Sequence, residues 1–122
     1  MRKHDYGVAL LLQDKLEEAI ARFRTSLILR PDGPDTLCYL GRALLKHHQP
    51  AEAATSLKLA LPVNSGDSNF RNVLAIALAA TKDFVGAKSE LLRARNLEPG
   101  NPLYERNLGC LDRVMRDCEL VP

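Results

Sequence analysis

Apolar residues recur along much of the chain with the spacing of an amphipathic helix. One stripe of this kind consists of Leu37, Leu40, Leu44 and Leu45. Gln49-Pro50 interrupts the pattern, and proline is tolerated in the first turn of the helix that follows it. Read in this way, the periodicity predicts seven helices. They are expected over residues 2–13, 16–29, 35–47, 50–62, 68–81, 84–97 and 102–118.

A longer period of 34 residues organises these helices. Pro31 and Pro99 are 68 residues apart, and a turn-rich stretch around Ser65 lies midway between them. Shifting the chain by 34 aligns similar residues without a gap. Three such registers are Leu10/Leu44/Leu78, Ala19/Ala53/Ala87 and Phe23/Leu57/Leu91. The agreement predicts a single domain over 1–122, with helical hairpins at about 1–33, 34–67 and 68–101 and a capping helix over 102–118.

Small residues recur in the first helix of each hairpin. Gly7, Gly41 and Ala75 occupy one register. Glycine in a helix costs about 1 kcal/mol relative to alanine. The recurrence therefore predicts that a neighbouring helix approaches closely at this register, where a larger side chain would overpack.

With this period and these offsets, the sequence resembles the tetratricopeptide repeat family. The first unit carries Tyr6-Gly7, Leu10, Ala19, Phe23 and Pro31 where the family has Leu-Gly, Tyr, Ala, Phe and Pro. The family's early Trp is replaced by Lys3, Leu37 and Arg71 in the three units, and Ser65 stands where the second Pro is usual. The resemblance covers essentially the whole chain. It implies an all-α, right-handed superhelical solenoid of antiparallel helix pairs.

The resemblance also implies a binding groove, because the first helix of each hairpin lines the concave face in this family. Curvature of this kind creates an extended binding surface. The residues at the groove offsets are His4, Val8, Asp35, Cys38, Arg42, Lys46, Asn69, Asn72, Ile76, Arg106 and Arg113. The arginines are expected to pair with carboxylates of an acidic peptide. The asparagines are expected to bond its backbone, since an amide both donates and accepts.

One known ligand class of the family is not expected here. Its co-chaperones hold the C-terminal carboxylate of heat-shock chaperones with a clamp of Lys, Asn, Asn, Lys and Arg. The matching positions of this chain hold His4, Val8, Tyr39, Asn69 and Val73. One repeat later they hold Cys38, Arg42, Val73, Leu103 and Asn107. Neither set forms the clamp.

Composition excludes several other functions. The net charge is only +2 and aromatic residues make up 5%, so neither a basic surface nor a stacking platform for nucleic acid is expected. The apolar stripes are needed for burial between helices, which argues against membrane binding. No catalytic, cofactor-binding or metal-ligand motif is visible, so we expect no enzymatic activity, cofactor or metal. The three scattered cysteines are expected to be unpaired, which favours a reducing, cytoplasmic location.

The resemblance thus predicts a protein-binding adaptor or scaffold that holds a peptide or protein partner in its groove. Two alternatives stay open. One is a substrate chaperone for a secreted or assembling protein. The other is a structural module that self-associates through its open N-terminal hairpin.

Overall fold

The computed structural model describes residues 15–30, 34–112 and 120–121, with the backbone alone at Pro34, Asp35 and Val63. Within these ranges the regular structure is entirely helical, which confirms the all-α fold class. The helix expected over 2–13 lies outside the described residues. The helices are α1 Leu16–Leu29, α2 Pro34–Lys46, α3 Pro50–Asn64, α4 Ser68–Ala80, α5 Phe84–Leu97 and α6 Pro102–Asp112.

The turns α2–α3 and α4–α5 have the same backbone conformation. Each contains one non-glycine residue with positive φ, His48 at 59° and Lys82 at 70°. In the first turn the N–H of Gln49 donates to the carbonyl of Leu44 at 2.8 Å, and the corresponding bond closes the second turn at the same distance. Such bonds satisfy carbonyls that a helix end leaves unpaired. The 34-residue period therefore extends to the turns.

Helix α3 ends two residues later than the sequence pattern predicts. The predicted end was residue 62, but the helix continues through Pro62 to Asn64. The buried Asn64 side chain donates to the carbonyl of Ala60 at 2.8 Å and so stabilises this last turn. The next helix starts at a conventional cap, since the carboxylate of Asp67 accepts the N–H of Phe70 at 3.1 Å.

The core follows the registers of the repeat. Each helix packs against the next helix in the chain, and α2 also packs against α4. The side chains of two complete registers are fully buried: Ala19, Ala53, Ala87, Phe23, Leu57 and Leu91. Identical burial at positions 34 residues apart is expected when each hairpin presents the same face to its neighbour.

A buried ion pair joins α4 to α5. Nη1 of Arg71 donates to Oε2 of Glu90 at 2.7 Å, and its Nε donates to the carbonyl of Ser65 at 2.7 Å. Both charged side chains are about nine-tenths buried. Arg71 occupies the register that holds the apolar Leu37 in the preceding unit, which is 5% exposed. The charge is tolerated there because Glu90 and Ser65 satisfy it.

Two glycines at equivalent positions have different surroundings. A Cβ added to Gly41 would lie 3.0 Å from side-chain atoms of Leu57 and Val73, whereas a Cβ added to Gly109 would meet none of the described residues within 4 Å. The predicted close approach is thus confirmed at Gly41.

We therefore expect Gly109→Ala to raise the free energy of unfolding by about 0.5–1 kcal/mol through helix propensity. Gly41→Ala should gain less or lose stability, because Leu57 and Val73 must move. Urea denaturation of the two variants measures the difference. An equal gain at both positions would contradict the close packing assigned to Gly41.

Candidate functional site

Two buried asparagines meet between α4 and α6. Asn72 and Asn107 are both fully buried. Nδ2 of Asn107 donates to Oδ1 of Asn72 at 2.9 Å. Buried amides are stable only when their polar atoms are paired, so this contact explains part of their burial. The other hydrogen bonds of the two carboxamides go to a third segment of the chain.

That segment contains Val121, whose backbone is held by both asparagines. The N–H of Val121 donates to Oδ1 of Asn107 at 2.9 Å. Its carbonyl accepts from Nδ2 of Asn107 at 2.9 Å and from Nδ2 of Asn72 at 3.0 Å. Both backbone groups of a single residue are therefore paired by side chains of the helical stack.

This arrangement is suited to binding a polypeptide backbone. Asn107 uses one carboxamide as acceptor and donor toward the N–H and C=O of the same residue, which is how paired strands exchange hydrogen bonds. None of these bonds involves the side chain of Val121. The asparagine pair can therefore hold any extended segment whose backbone reaches it, while side-chain preferences must come from neighbouring residues.

Arg42 on α2 extends the same face. Its Nη2 donates to Oδ1 of Asn69 on α4 at 3.0 Å, and its guanidinium carbon lies 5.5 Å from the ring centroid of Tyr39. The Tyr39 ring is in turn stacked on Phe23, with centroids 6.0 Å apart. Nε of Arg42 is buried and has no hydrogen-bond partner among the described residues. The contacts with Asn69 and Tyr39 hold the half-buried guanidinium of Arg42 in place on this face.

The other residues at the predicted groove offsets lie in varied surroundings. Cys38 is 2% exposed and belongs to the core, whereas Ile76 is half-buried. Lys46 and Arg106 are exposed. His4, Val8 and Arg113 lie outside the described residues, as does the side chain of Asp35. The structure thus brings Arg42 to Asn69 and Asn72 to Val121, and it leaves two exposed cations without a role in these contacts.

Asn107 was not among the residues expected at the groove. It falls in the register of Tyr39 and Val73, one position beyond the offset that identifies Asn72. The available signal was a polar residue in a register that holds Tyr39 and Val73 in the two preceding units. A buried polar residue in such a place is informative, because burying an amide requires dedicated partners.

The expectation of unpaired cysteines is wrong for Cys110. This residue on α6 is disulfide-bonded, whereas Cys38 carries a thiol. Cys118 lies outside the described residues. The prediction assumed that one helix runs through Cys110 and Cys118, which would hold the two sulfurs too far apart. The argument for a reducing compartment depended on unpaired cysteines, so it loses its support.

A separate polar cluster connects α6 to the end of α5. The hydroxyl of Tyr104 lies 3.1 Å from Oγ of Ser68 and 3.3 Å from Oε2 of Glu98. Hydrogen bonding from Asn101 lowers the pKa of Glu98, and burial raises the pKa of Tyr104. Both shifts favour the protonation states already present at neutral pH, which fits a structural role for the cluster.

The described part of the chain contains no group of three or more His, Cys, Asp or Glu side chains placed to hold a metal ion. Within the same residues, no helix is both long enough and apolar enough to cross a membrane.

The family model described as "Tetratricopeptide repeat" matches residues 10–75, more than half of the chain. A comparison with curated protein sequences finds no match.

Several solved structures share the fold. The first TPR of Spaghetti (RPAP3), bound to the HSP90 peptide SRMEEVD, is similar with a TM-score of 0.86 and 21% identity, covering 93% of this chain and 90% of that one. The Sgt2 TPR domain from Aspergillus fumigatus has a TM-score of 0.87 and 23% identity over 93% and 76% of the two chains. YrrB, described as a TPR protein with an unusual peptide-binding site, has a TM-score of 0.76 and 24% identity over 89% and 56%.

Proposed function

Since the chain belongs to the tetratricopeptide repeat family, we propose that it is a non-enzymatic adaptor whose concave face binds an extended segment of a partner protein. One observation carries this proposal. Asn72 and Asn107 together pair the N–H and C=O of one backbone residue, Val121. A partner segment in the same place would make the same bonds, because the bonds use the backbone alone.

The fold supports this reading. The first TPR of Spaghetti (RPAP3) is bound to a peptide in its solved structure, and YrrB is described as having a peptide-binding site. The helices that hold the two asparagines are packed elements of a stack, so the site is formed before a ligand arrives. Pre-formed sites lose less entropy on binding than mobile loops do.

The preferred ligand is an extended peptide with an acidic side chain near Arg42. The guanidinium of Arg42 is anchored through Nη2 to Asn69, while its buried Nε lacks a partner among the described residues. A carboxylate can accept from the remaining N–H groups of the half-buried guanidinium, and a charge-assisted bond is stronger than a neutral one. Lys46 on α2 and Arg106 on α6 are both exposed and add positive charge.

Replacing either asparagine should weaken peptide binding about tenfold, the effect of losing one or two backbone hydrogen bonds. Peptides are first selected for binding to the intact chain from a displayed library of random sequences. Their dissociation constants are then measured in chains that all carry Leu120→Asp and Val121→Pro, which remove the packed Leu120 side chain and the Val121 N–H from the site. These chains carry Asn72→Ala, Asn107→Ala, the control Asn96→Ala or no further change. Asn96 is an exposed asparagine on α5. Circular dichroism verifies that each variant is folded at the measuring temperature.

Equal affinities for all four proteins would contradict the assignment of the site. Light scattering on the same samples tests the alternative of self-association, for which the mass of the particles rises with concentration. An adaptor that binds a different protein is expected to keep the mass of one chain.

A further inference from the structure

The groove of this protein is occupied by the protein's own chain. Val121 uses its N–H and its carbonyl on Asn72 and Asn107, and Leu120 packs partly buried against the hydrophobic core. The contact between Asn72 and Val121 joins residues 49 positions apart in the sequence. The segment is therefore seated in the site as a ligand would be, through backbone bonds and one apolar side chain.

The sequence of the segment suits this role. Proline follows Val121, and a residue before proline is biased toward an extended conformation. In an extended residue the N–H and C=O point to the same side, so one carboxamide can pair with both. Leu120 and Val121 are apolar, whereas the preceding stretch contains Arg116, Asp117 and Glu119.

The segment is also favoured over an external peptide because it is covalently tethered to the site. It lies only 14 residues beyond Asn107 in the same chain. A short tether of this length gives a millimolar effective concentration, which exceeds the cellular concentration of most partners. An external ligand then binds only those molecules in which the site is open. Its apparent affinity is therefore the intrinsic affinity multiplied by the open fraction.

We propose that the segment Leu120–Val121 is an internal ligand of the peptide site and that a partner binds by displacing it. This inference rests on the proposed function, since displacement requires that an external peptide uses the same asparagines. The new element is that the protein's own segment regulates the site. The affinity for a partner then depends on the strength of the bonds between Asn107 and Val121.

One substitution that removes a backbone N–H tests whether the segment competes with an external peptide for the site. Val121→Pro removes the N–H that donates to Oδ1 of Asn107, whereas Val121→Ala keeps it. Loss of one such bond shifts the closed–open equilibrium about fivefold. The probe is a dye-labelled synthetic peptide with the sequence of residues 114–122, in which serine replaces the cysteine. We expect the probe to bind the Val121→Pro chain about fivefold more tightly than the intact chain, with Val121→Ala within about twofold of the intact chain.

Hydrogen exchange of the Val121 amide gives a second, independent readout. We expect this amide to be protected in the intact chain and to lose protection in Asn107→Ala, while the amide of Leu91 in the core stays protected. An unprotected Val121 amide in the intact chain would overturn the proposal.

Equal probe affinity for the intact and Val121→Pro chains, with Val121 protected, would also overturn it and would leave the proposed function standing. Failure of the proposed function has a different signature, since the library then yields no binding peptide and the probe binds neither chain, and the internal-ligand proposal falls with it.

Discussion

Arg71→Met lowers the free energy of unfolding by about 3–5 kcal/mol, because it leaves the buried carboxylate of Glu90 without its partner. Nη1 of Arg71 lies 2.7 Å from Oε2 of Glu90, and each side chain is about nine-tenths buried. The substitution also removes the bond from Nε to the carbonyl of Ser65. Small domains are stable by only about 5–15 kcal/mol, so the variant should melt far below the intact chain. Chemical denaturation monitored by circular dichroism measures the loss.

The matched control replaces both partners. Arg71→Met combined with Glu90→Leu removes the buried charges together, and such replacements are often neutral or stabilising. We expect the double variant to regain most of the stability that the single variant loses. If the double variant is as unstable as the sum of the two single variants, the pair is not the coupled, desolvated contact described above.

Leu57→Ala should cost about 2–5 kcal/mol, the usual range for a leucine truncated in a packed core. Leu57 is fully buried, and its methyl groups reach within about 3.0 Å of the place where a Cβ of Gly41 would stand. The cavity would therefore open where α2, α3 and α4 meet. Urea unfolding gives the difference in free energy.

Leu59→Ala is the control on the same helix. Leu59 is 80% exposed, and surface substitutions usually change stability by less than about 0.5 kcal/mol. Similar losses at Leu57 and Leu59 would mean that α3 presents a different face to the core. A large loss confined to Leu57 supports the register that places Ala53 and Leu57 inside.

The sequence was sufficient to predict the helical repeat, and the reason lies in particular registers. Residues such as Ala53, Leu57, Ala87 and Leu91 are buried because every hairpin packs against its neighbour in the same way, so a local period reports a tertiary contact. The end of α3 was placed two residues too early, at Pro62, although the helix continues to Asn64. The capping contact of Asn64 with Ala60 lets the helix continue for two residues.

The candidate site was only partly predictable. Asn72 was expected at the groove from its repeat offset, and it does hold a backbone carbonyl, although that carbonyl belongs to the chain itself. The repeat alignment placed Asn107 at one offset of the family's carboxylate clamp, but the incomplete clamp gave no reason to expect a groove residue there. The contacts of Val121 and the disulfide of Cys110 both involve residues outside the three repeats. The 34-residue period therefore could not predict them.

The central claim is that Asn72 and Asn107 bind the backbone of a partner segment. The most direct measurement records nuclear Overhauser effects between the side-chain amide protons of the ¹⁵N-labelled chain and an unlabelled peptide selected for binding. We expect contacts from the carboxamide protons of Asn72 and Asn107 to the backbone of the peptide, and none from those of the exposed Asn96. Saturable binding without any contact between the peptide and Asn72 or Asn107 would contradict the claim.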